Sequence, residues 1–150
     1  STAGYKYILT VMDDLSGYTA LYPTTNADAA TTVNSLLDWI SRYGLPELLI
    51  TDQGSHFKAR LVDALTTRLR IKHHTTVAYA PQSNGTVERL NKTVLQAFRA
   101  LLSEYRMDPD SWPDLIPIIV NFINTTPKER LNNLSPLQAF MGHDARLPLD

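Results

Sequence analysis

Apolar residues recur along the chain with two different periods, and the change of period separates strands from helices. Short runs that are rich in β-branched and aromatic residues predict strands. Apolar positions three and four residues apart predict helices that bury one stripe. The expected strands cover Tyr5–Met12, Tyr18–Tyr22, Glu47–Thr51 and Ile71–Val77.

Helices are expected between and after these strands, each with its own start and stop signals. The first is capped by Thr25 or Asn26, has Asp28 in its first turn and closes at Gly44; the second covers Phe57–Leu69; the third follows Asn84-Gly85 and runs to about Arg106; the fourth is capped by Asp110 or Ser111; the last opens at Ser135-Pro136 and ends at Gly142. The expected buried stripes are Phe57, Leu61, Leu65 and Leu69 in the second helix and Val87, Leu90, Val94, Phe98, Leu101 and Tyr105 in the third.

The order of these elements predicts an α/β fold, in which a mixed sheet is covered by helices. The turn at Asp13–Gly17 is short, so the first two strands should form an antiparallel hairpin. The strand Glu47–Thr51 is expected to be buried and parallel to its neighbour. Ala80–Gly85 contains two chain breakers and no apolar period, so it is expected to be a loop.

Length and composition favour one globular domain over residues 1–150, since 43% of the residues are apolar and 19% are charged. No apolar run approaches a membrane span, and no signal peptide is evident. The chain has no cysteine. Disulfides, thiolate zinc sites and cysteine nucleophiles are therefore excluded, and an intracellular protein without a membrane partner is expected.

Charge is distributed unevenly along the chain. Residues 52–106 carry nine basic and four acidic side chains, whereas the segments on either side are acidic. A basic middle segment suggests that one face meets an anion such as nucleic acid. An ordinary solvated surface explains the same pattern. Charge alone does not distinguish an anion-binding face from such a surface.

Two carboxylates are the main candidates for chemistry. Asp52 follows an apolar strand, where ligands gather in α/β sheets, and Glu88 is expected in the first turn of the long helix. A helix and a strand fit into the 35 residues between them, so both can reach one sheet edge, and Mg²⁺ prefers carboxylate oxygens. Two structural alternatives remain: a turn formed by Asp52 with Gly54, and a Glu88 that complements the helix N-terminus or pairs with Lys92.

The surroundings of both carboxylates match a family. The segments Leu49–Phe57 and Tyr79–Lys92 resemble the integrase catalytic core of retroviruses and long-terminal-repeat retrotransposons, in particular the Ty3/Gypsy type, which is part of a Pol polyprotein. The spacing of Asp52 and Glu88 is similar to the second half of that family's Asp, Asp-35-Glu signature. Further similarity covers almost the whole chain, through Ile8–Gly17, Gly44–Pro46, Asn121 with Thr125-Thr126, and Ser135–Gly142.

The resemblance implies a ribonuclease-H-like fold and a DNA-integrating polynucleotidyl transferase. In this family three carboxylates hold two Mg²⁺ or Mn²⁺ ions, water cuts the element's DNA end, and the freed 3′-hydroxyl attacks target DNA. Asp52 would be the second and Glu88 the third metal-binding, catalytic carboxylate. Contacts with the element's DNA ends or target DNA would come from Ser55, Gln82, Ser83, Asn84, Gly85, Asn91 and Lys92.

The family's first catalytic Asp lies on a strand upstream of the segment that resembles Tyr5–Asp13. This Asp and the family's first, central strand are therefore expected outside these 150 residues, and activity of the chain alone would depend on them. Asp13 and Asp14 match a turn and are not expected to replace that Asp. The rival hypotheses are a catalytically inactive domain of the same fold that binds DNA or protein, and a different nuclease of the superfamily.

Other residues have structural rather than chemical expectations. Adjacent strand residues point to opposite faces, so His73 and His74 should not chelate a metal, and one should face the core. A homodimer or higher oligomer is expected from the resemblance. Phe98, Leu101 and Trp112 could serve that contact or the core, and both options remain open. A nuclear location is expected if the element is eukaryotic.

Overall fold

The computed structural model describes residues 4–52, 56–76 and 81–143, with side chains given except at 56–59 and 81–85. Within these residues strands and helices alternate as an α/β fold requires. The strands are β1 (Tyr7–Met12), β2 (Thr19–Thr24), β3 (Leu48–Asp52) and β4 (Lys72–Thr76). The α-helices are α1 (Ala29–Tyr43), α2 (His56–Arg68), α3 (Pro81–Glu104), α4 (Ile116–Thr125) and α5 (Pro136–Met141), and 3-10 helices cover Pro109–Leu115 and Glu129–Leu131.

Strands β1 and β2 pair as the expected hairpin. Backbone hydrogen bonds at the two ends, from Lys6 N to Thr24 O at 3.0 Å and from Asp13 N to Tyr18 O at 2.9 Å, give the pair its antiparallel direction. The prediction that β2 ends before Pro23 is wrong, since β2 continues to Thr24. Proline fits there because, among the described residues, β2 pairs with β1 alone, and an edge strand tolerates a missing N–H.

Strands β3 and β4 form a second, parallel pair, in which Leu49 lies opposite His73 and Asp52 opposite Thr76. The predicted parallel direction is confirmed, but the predicted burial of β3 is wrong. Leu48 and Ile50 are 50% and 49% exposed. These side chains share one face of the strand, and an apolar sequence cannot show which face is covered.

The first helix begins later than predicted. Asp28 itself caps α1, since its carboxylate accepts a hydrogen bond from Thr31 N at 2.8 Å. Its extended backbone, with φ −103° and ψ 171°, is typical of a cap position. A cap at Thr25 or Asn26 is therefore wrong. The predicted end is confirmed, because Gly44 has φ +90° and donates its N–H to Ile40 O at 2.9 Å.

Helix α2 buries a face next to the predicted one. Val62 and Thr66 are buried, with 3% and 2% exposed, whereas Leu61 is 37% exposed. The α2 stripe is thus rotated by about one residue from Leu61 and Leu65 toward Val62 and Thr66. The smaller side chains lie inward because tertiary contacts, and not apolar spacing alone, select the buried face.

Helix α3 confirms the centre of its predicted stripe, where Val94 and Phe98 are 4% and 6% exposed. Tyr105 is 66% exposed because the helix ends at Glu104. The predicted loop over 80–85 is wrong for residues 81–85, since α3 begins at Pro81. Proline suits a first helical position, where its missing N–H costs nothing. Ala80 lies outside the described residues.

The last third of the chain contains short, well-capped elements. Asp108, and not Asp110 or Ser111, caps the 3-10 helix Pro109–Leu115, accepting from Asp110 N at 3.0 Å. The predicted start of α5 is confirmed by a reciprocal capping box between Ser135 and Gln138. Gly142, with φ +76°, ends α5 as predicted.

The described chain divides into two compact units, and β1, β2 and α3 each contribute to both. The first unit comprises residues 10–21 and 91–143, and its core includes Phe98, Leu115, Ile116, Ile119 and Ile123. The second unit comprises residues 4–9, 22–52, 56–76 and 81–90, and its core includes Leu36, Trp39, Val62 and Ile71. A single domain over 1–150 stays a prediction. Among the described helices, none combines the length and apolar character needed to cross a membrane.

Candidate active site

Asp52 is the last residue of β3 and is exposed to solvent. No described residue forms a hydrogen bond or an ion pair with its carboxylate. A carboxylate at the carboxyl end of a parallel strand occupies the position where α/β folds place their ligands. The structural alternative for Asp52, a turn that it forms with Gly54, involves a residue outside the described part of the chain.

Glu88 is the eighth residue of α3 and is also exposed. The prediction that it lies in the first turn is wrong, because α3 begins at Pro81. The influence of a helix dipole fades within the first turn, so Glu88 is too far along α3 to complement the N-terminus. Within the described residues Glu88 and Lys92 form no ion pair. Neither structural alternative therefore accounts for this carboxylate.

Chain geometry limits how far the start of α3 can lie from the end of β3, and Asp52 and Glu88 both belong to the second unit. Asp52 lies beside Thr76 in the parallel register. Five peptide steps separate Thr76 from the start of α3 at Pro81, so the two Cα atoms lie at most about 19 Å apart. The start of α3 is thus tethered to the sheet edge at which β3 ends. Among the described residues no group of three or more His, Asp or Glu side chains is close enough to hold a metal.

A hydrogen-bonded cluster lies directly beside Asp52 in the sequence. His73 Nε2 is 2.8 Å from Thr51 Oγ1, and His73 Nδ1 is 2.5 Å from Asp63 Oδ1. The His73 side chain is 7% exposed, whereas His74 is exposed. The prediction that one histidine faces inward is confirmed. The partners Thr51 and Asp63 were not predicted, because β3, α2 and β4 bring them together only after folding.

The expected DNA-contacting residues have different environments. Lys92 is exposed on α3. Asn91 is also exposed, but its Oδ1 accepts a hydrogen bond from Thr10 Oγ1 at 3.1 Å. Gln82, Ser83, Asn84 and Gly85 lie in the first turns of α3 instead of a loop, and their side chains are not described. Ser55 lies outside the described residues.

Asp13 serves a turn, as predicted. Its Oδ2 accepts hydrogen bonds from Ser16 N at 2.9 Å and from Ser16 Oγ at 2.6 Å. These bonds use Asp13 to close the β1–β2 connection. Asp14 is exposed at the same turn.

The structure also decides between core and interface for one aromatic residue. Phe98 is buried in the first unit and meets Trp112 edge to face, with ring centroids 5.9 Å apart. Phe98 is therefore a core residue. Leu101 and Trp112 are half-buried, so a contact with a second subunit stays a prediction for them.

A second polar cluster lies in a groove of about 500 Å³ in the second unit. Asp38 Oδ2 accepts hydrogen bonds from Tyr22 Oη at 3.0 Å and from Arg42 Nε at 2.9 Å. Burial, followed by the bond to Asp38, raises the pKa of Tyr22 above its usual range. The Arg42 hydrogen bond lowers the pKa of Asp38. The cluster holds β2 against α1 and includes neither Asp52 nor Glu88.

Comparison with known families identifies the chain. Residues 1–81 match the family model described as the integrase core domain. The match includes Asp52 and the strand that positions it, and it ends before Glu88. The chain belongs to the integrase core domain family.

Relatives of this integrase core occur in viral and transposon polyproteins. The Gag-Pol polyprotein of feline leukemia virus is 32% identical over 140 residues, which cover 93% of this chain and 8% of the relative. The retrovirus-related Pol polyprotein from transposon 412 of Drosophila melanogaster is 30% identical over 149 residues, which cover 99% of this chain and 12% of the relative. The chain thus spans about a tenth of the length of these polyproteins.

Solved structures give the same fold. The HTLV-2 integrase catalytic core domain in complex with magnesium superposes with a TM-score of 0.72 at 22% identity, covering 91% of this chain and 89% of that one. The simian T-cell lymphotropic virus intasome in complex with the PP2A regulatory subunit B56 gamma gives a TM-score of 0.73 at 22% identity, covering 95% and 54%. The predicted ribonuclease-H-like fold of integrase cores is therefore confirmed.

Proposed function

We propose that this integrase core contributes to DNA integration through metal-dependent 3′-end processing and strand transfer, with Asp52 and Glu88 as the second and third metal-binding carboxylates. The observation that carries the proposal is the position of Asp52. It ends β3 inside the family match, is exposed, and has no bonding partner among the described residues. Its carboxylate oxygens therefore make no hydrogen bond or ion pair with a described residue that metal binding would have to break.

The donor set fits a hard divalent cation. Both carboxylates are exposed and offer oxygen ligands, which Mg²⁺ and Mn²⁺ prefer, and the chain has no cysteine that would favour a softer metal. Two carboxylates with DNA phosphates are a common way to hold Mg²⁺. When bound, such ions would stabilise the attacking and leaving oxygens of a phosphodiester displacement.

The rest of the proposal concerns what the chain would hold. Lys92 would approach the DNA backbone, while Asn91, Ser55 and residues 82–85 would meet the element's DNA end or the target. The solved relatives described as dimeric, trimeric and intasome forms support an assembly of several subunits on DNA. A Ty3/Gypsy-type element and, in a eukaryotic host, a nuclear location complete the proposal.

A titration with Mn²⁺ tests the two carboxylates. Binding to the folded chain would be followed by isothermal calorimetry and by paramagnetic broadening of NMR signals. Asp52→Asn and Glu88→Gln should each weaken binding by at least about tenfold if both side chains are ligands. Broadening should be centred on the end of β3.

Two matched variants serve as controls. Asp14→Asn removes an exposed carboxylate at a turn, and Glu104→Gln removes one from the far end of α3; both should leave Mn²⁺ affinity unchanged. Equal effects of all four variants would indicate diffuse charge attraction. A folded chain that does not bind Mn²⁺ would contradict the metal role and favour a catalytically inactive domain that binds DNA or protein.

A further inference from the structure

The hydrogen bonds around Thr51 form a relay that begins on one helix and ends beside the proposed metal ligand. Asp63 of α2 contacts Nδ1 of His73, and Nε2 of the same ring contacts the Thr51 hydroxyl at 2.8 Å. Thr51 directly precedes Asp52. Three elements, α2, β4 and β3, are thus joined through one imidazole.

The chemistry of the partners fixes which atom donates in the contact between His73 and Asp63. A carboxylate can only accept hydrogen bonds, so the Nδ1 atom that faces Asp63 carries a proton. In the neutral ring Nε2 then accepts from the Thr51 hydroxyl, and in the charged ring it donates to the same oxygen. Because a hydroxyl can do either, Thr51 keeps its partner in both protonation states of His73.

Thr51 is also held through its backbone. Thr76 Oγ1 donates a hydrogen bond to Thr51 O at 3.3 Å, in addition to the parallel ladder in which Thr76 lies opposite Asp52. The Thr51 carbonyl belongs to the peptide group that joins Thr51 to Asp52. The side chain and the carbonyl of Thr51 are therefore both held by β4.

Thr51 and Asp52 are neighbours in β3 but point to opposite faces of the strand. Successive strand residues point to opposite faces, so Thr51 points toward His73, while Asp52 points to the face that exposes Leu48 and Ile50. A fixed Thr51–Asp52 peptide restricts the backbone of Asp52 and therefore the direction of its Cα–Cβ bond, from which the carboxylate extends. The imidazole is 7% exposed, so it is shielded from solvent and acts through the strand.

We propose that Asp63, His73 and Thr51 are positioning residues that hold the backbone at Asp52 and so place its carboxylate where it can bind a metal ion. The proposal rests on the proposed metal role of Asp52. Groups that orient a ligand without touching the metal usually change metal affinity by about 10- to 100-fold when they are removed. This relay predicts such an effect from residues that do not themselves bind the ion.

Thr51→Val is the main test, because valine has the shape of threonine without its hydroxyl. It should weaken Mn²⁺ binding by about tenfold or more, and Thr51→Ser, which restores the hydroxyl, should recover the affinity. Thr75→Val is the matched control, since Thr75 lies opposite Thr51 on β4 and its hydroxyl forms no hydrogen bond with a described residue. It should leave the affinity unchanged.

Asp63→Asn gives a second, gentler test. The Asp63 side chain is 62% exposed, so this variant should fold even if the Thr51 variant does not. It should weaken Mn²⁺ binding in the same direction as Thr51→Val. Unchanged affinity in either folded variant, in a chain whose binding depends on Asp52, would overturn the proposal, whatever the effect on the unfolding temperature.

A metal-free measurement separates this proposal from the function on which it rests. Amide ¹⁵N relaxation should give a rigid backbone at Asp52 in the parent chain, with an order parameter near ~0.85, and a marked fall toward ~0.6 in Thr51→Val. Leu48, at the other end of β3, should not change. If the parent chain does not bind Mn²⁺, the proposed metal role fails, and the relaxation measurement alone tests the positioning role. A fall of the order parameter that is confined to Asp52 supports that role. Equal order parameters in the parent chain and in Thr51→Val overturn it.

Discussion

Asn124 of α4 binds both backbone polar groups of Thr19. Its Oδ1 accepts from Thr19 N, and its Nδ2 donates to Thr19 O, each at 2.9 Å. Both residues are buried, with 4% and 1% exposed. One side chain thus replaces the hydrogen bonds that a neighbouring strand would supply, and it fastens β2 to a helix that lies far along the chain.

Replacing Asn124 should therefore be costly. Asn124→Ala would leave the buried N–H and C=O of Thr19 without partners, and each such group costs about 1–3 kcal/mol. We expect the free energy of unfolding, measured by urea denaturation, to fall by at least about 2 kcal/mol. Asn121→Ala removes an exposed asparagine of the same helix and should change stability by less than about 0.5 kcal/mol. Equal losses in both variants would contradict a special role for Asn124.

Gly17 should tolerate no side chain, for two separable reasons. Its φ is +73°, and a Cβ atom would lie 2.5 Å from Nη2 of Arg130. Nη1 of the same guanidinium donates a hydrogen bond to Leu15 O. Gly17→Ala should destabilise the chain by roughly 1–2 kcal/mol through the backbone term, and it should also displace Arg130.

Gly4→Ala isolates the backbone effect, because Gly4 has φ +68° but no atom near its Cβ position. Thermal unfolding should show a larger loss for Gly17→Ala than for Gly4→Ala. In an Arg130→Ala background the two losses should become similar. A difference that persists without Arg130 would show that the clash is not the cause.

The Tyr22–Asp38 pair should make stability sensitive to high pH. Burial raises the pKa of Tyr22 in the folded chain, while an unfolded tyrosine ionises near pH ~10. A raised folded pKa means that this stabilisation is complete below pH ~10 and declines as the pH rises above it. Denaturation series at pH 8 to 11 should show this decline. Tyr22→Phe should lose less stability over the same range, and an identical slope would contradict the assignment.

Asp28 should make stability sensitive to acid. Hydrogen bonds from the side chain and then the backbone of Thr31 lower its pKa in the folded chain. A lowered folded pKa means that the stabilisation is present above the unfolded value, near pH ~4, and declines as the pH falls below it. Asp28→Ala should unfold at a lower temperature at neutral pH. The difference from the parent should shrink at about pH 3, and a constant difference would argue against the charged cap.

Lys92 should contact DNA phosphates if the proposed function is right. Lys92→Ala should weaken binding to duplex DNA for all sequences alike and reduce the salt slope by about 1. Fluorescence anisotropy at several salt concentrations would measure both quantities. Lys128→Ala, which removes an exposed lysine from a different segment, should have little effect. Equal changes in both variants would indicate general charge attraction.

The elements could be predicted from local patterns because their causes are local. The capping box at Ser135, the positive φ of Gly44 and the spacing of Val94 and Phe98 all depend on residues within a few positions. The start of α3 could not be predicted in this way. Asn84 and Gly85 favour turns on their own, but their cost is small within a helix of 24 residues.

The candidate site also has a part that the sequence predicts and a part that only the folded structure reveals. Asp52 and Glu88 are evident from the sequence because their residue types, spacing and neighbouring motifs lie along the chain. The cluster beside Asp52 is not evident, since His73 meets Asp63 and Thr51 only when β3, β4 and α2 pack. Likewise, nothing local distinguishes Asn124 from the exposed Asn121.

The sequence by itself determined the family, the parallel direction of β3, and which two carboxylates are the candidates for metal binding, since these follow from motif, period and residue chemistry. Only the tertiary structure decided which face of α2 is buried and that Leu48 and Ile50 of β3 stay exposed. It also decided which side chains form hydrogen bonds with Thr19 and Thr51. Those outcomes depend on contacts between residues up to 105 positions apart. The free energy of such contacts comes from burial and hydrogen bonding between elements, which no local pattern records.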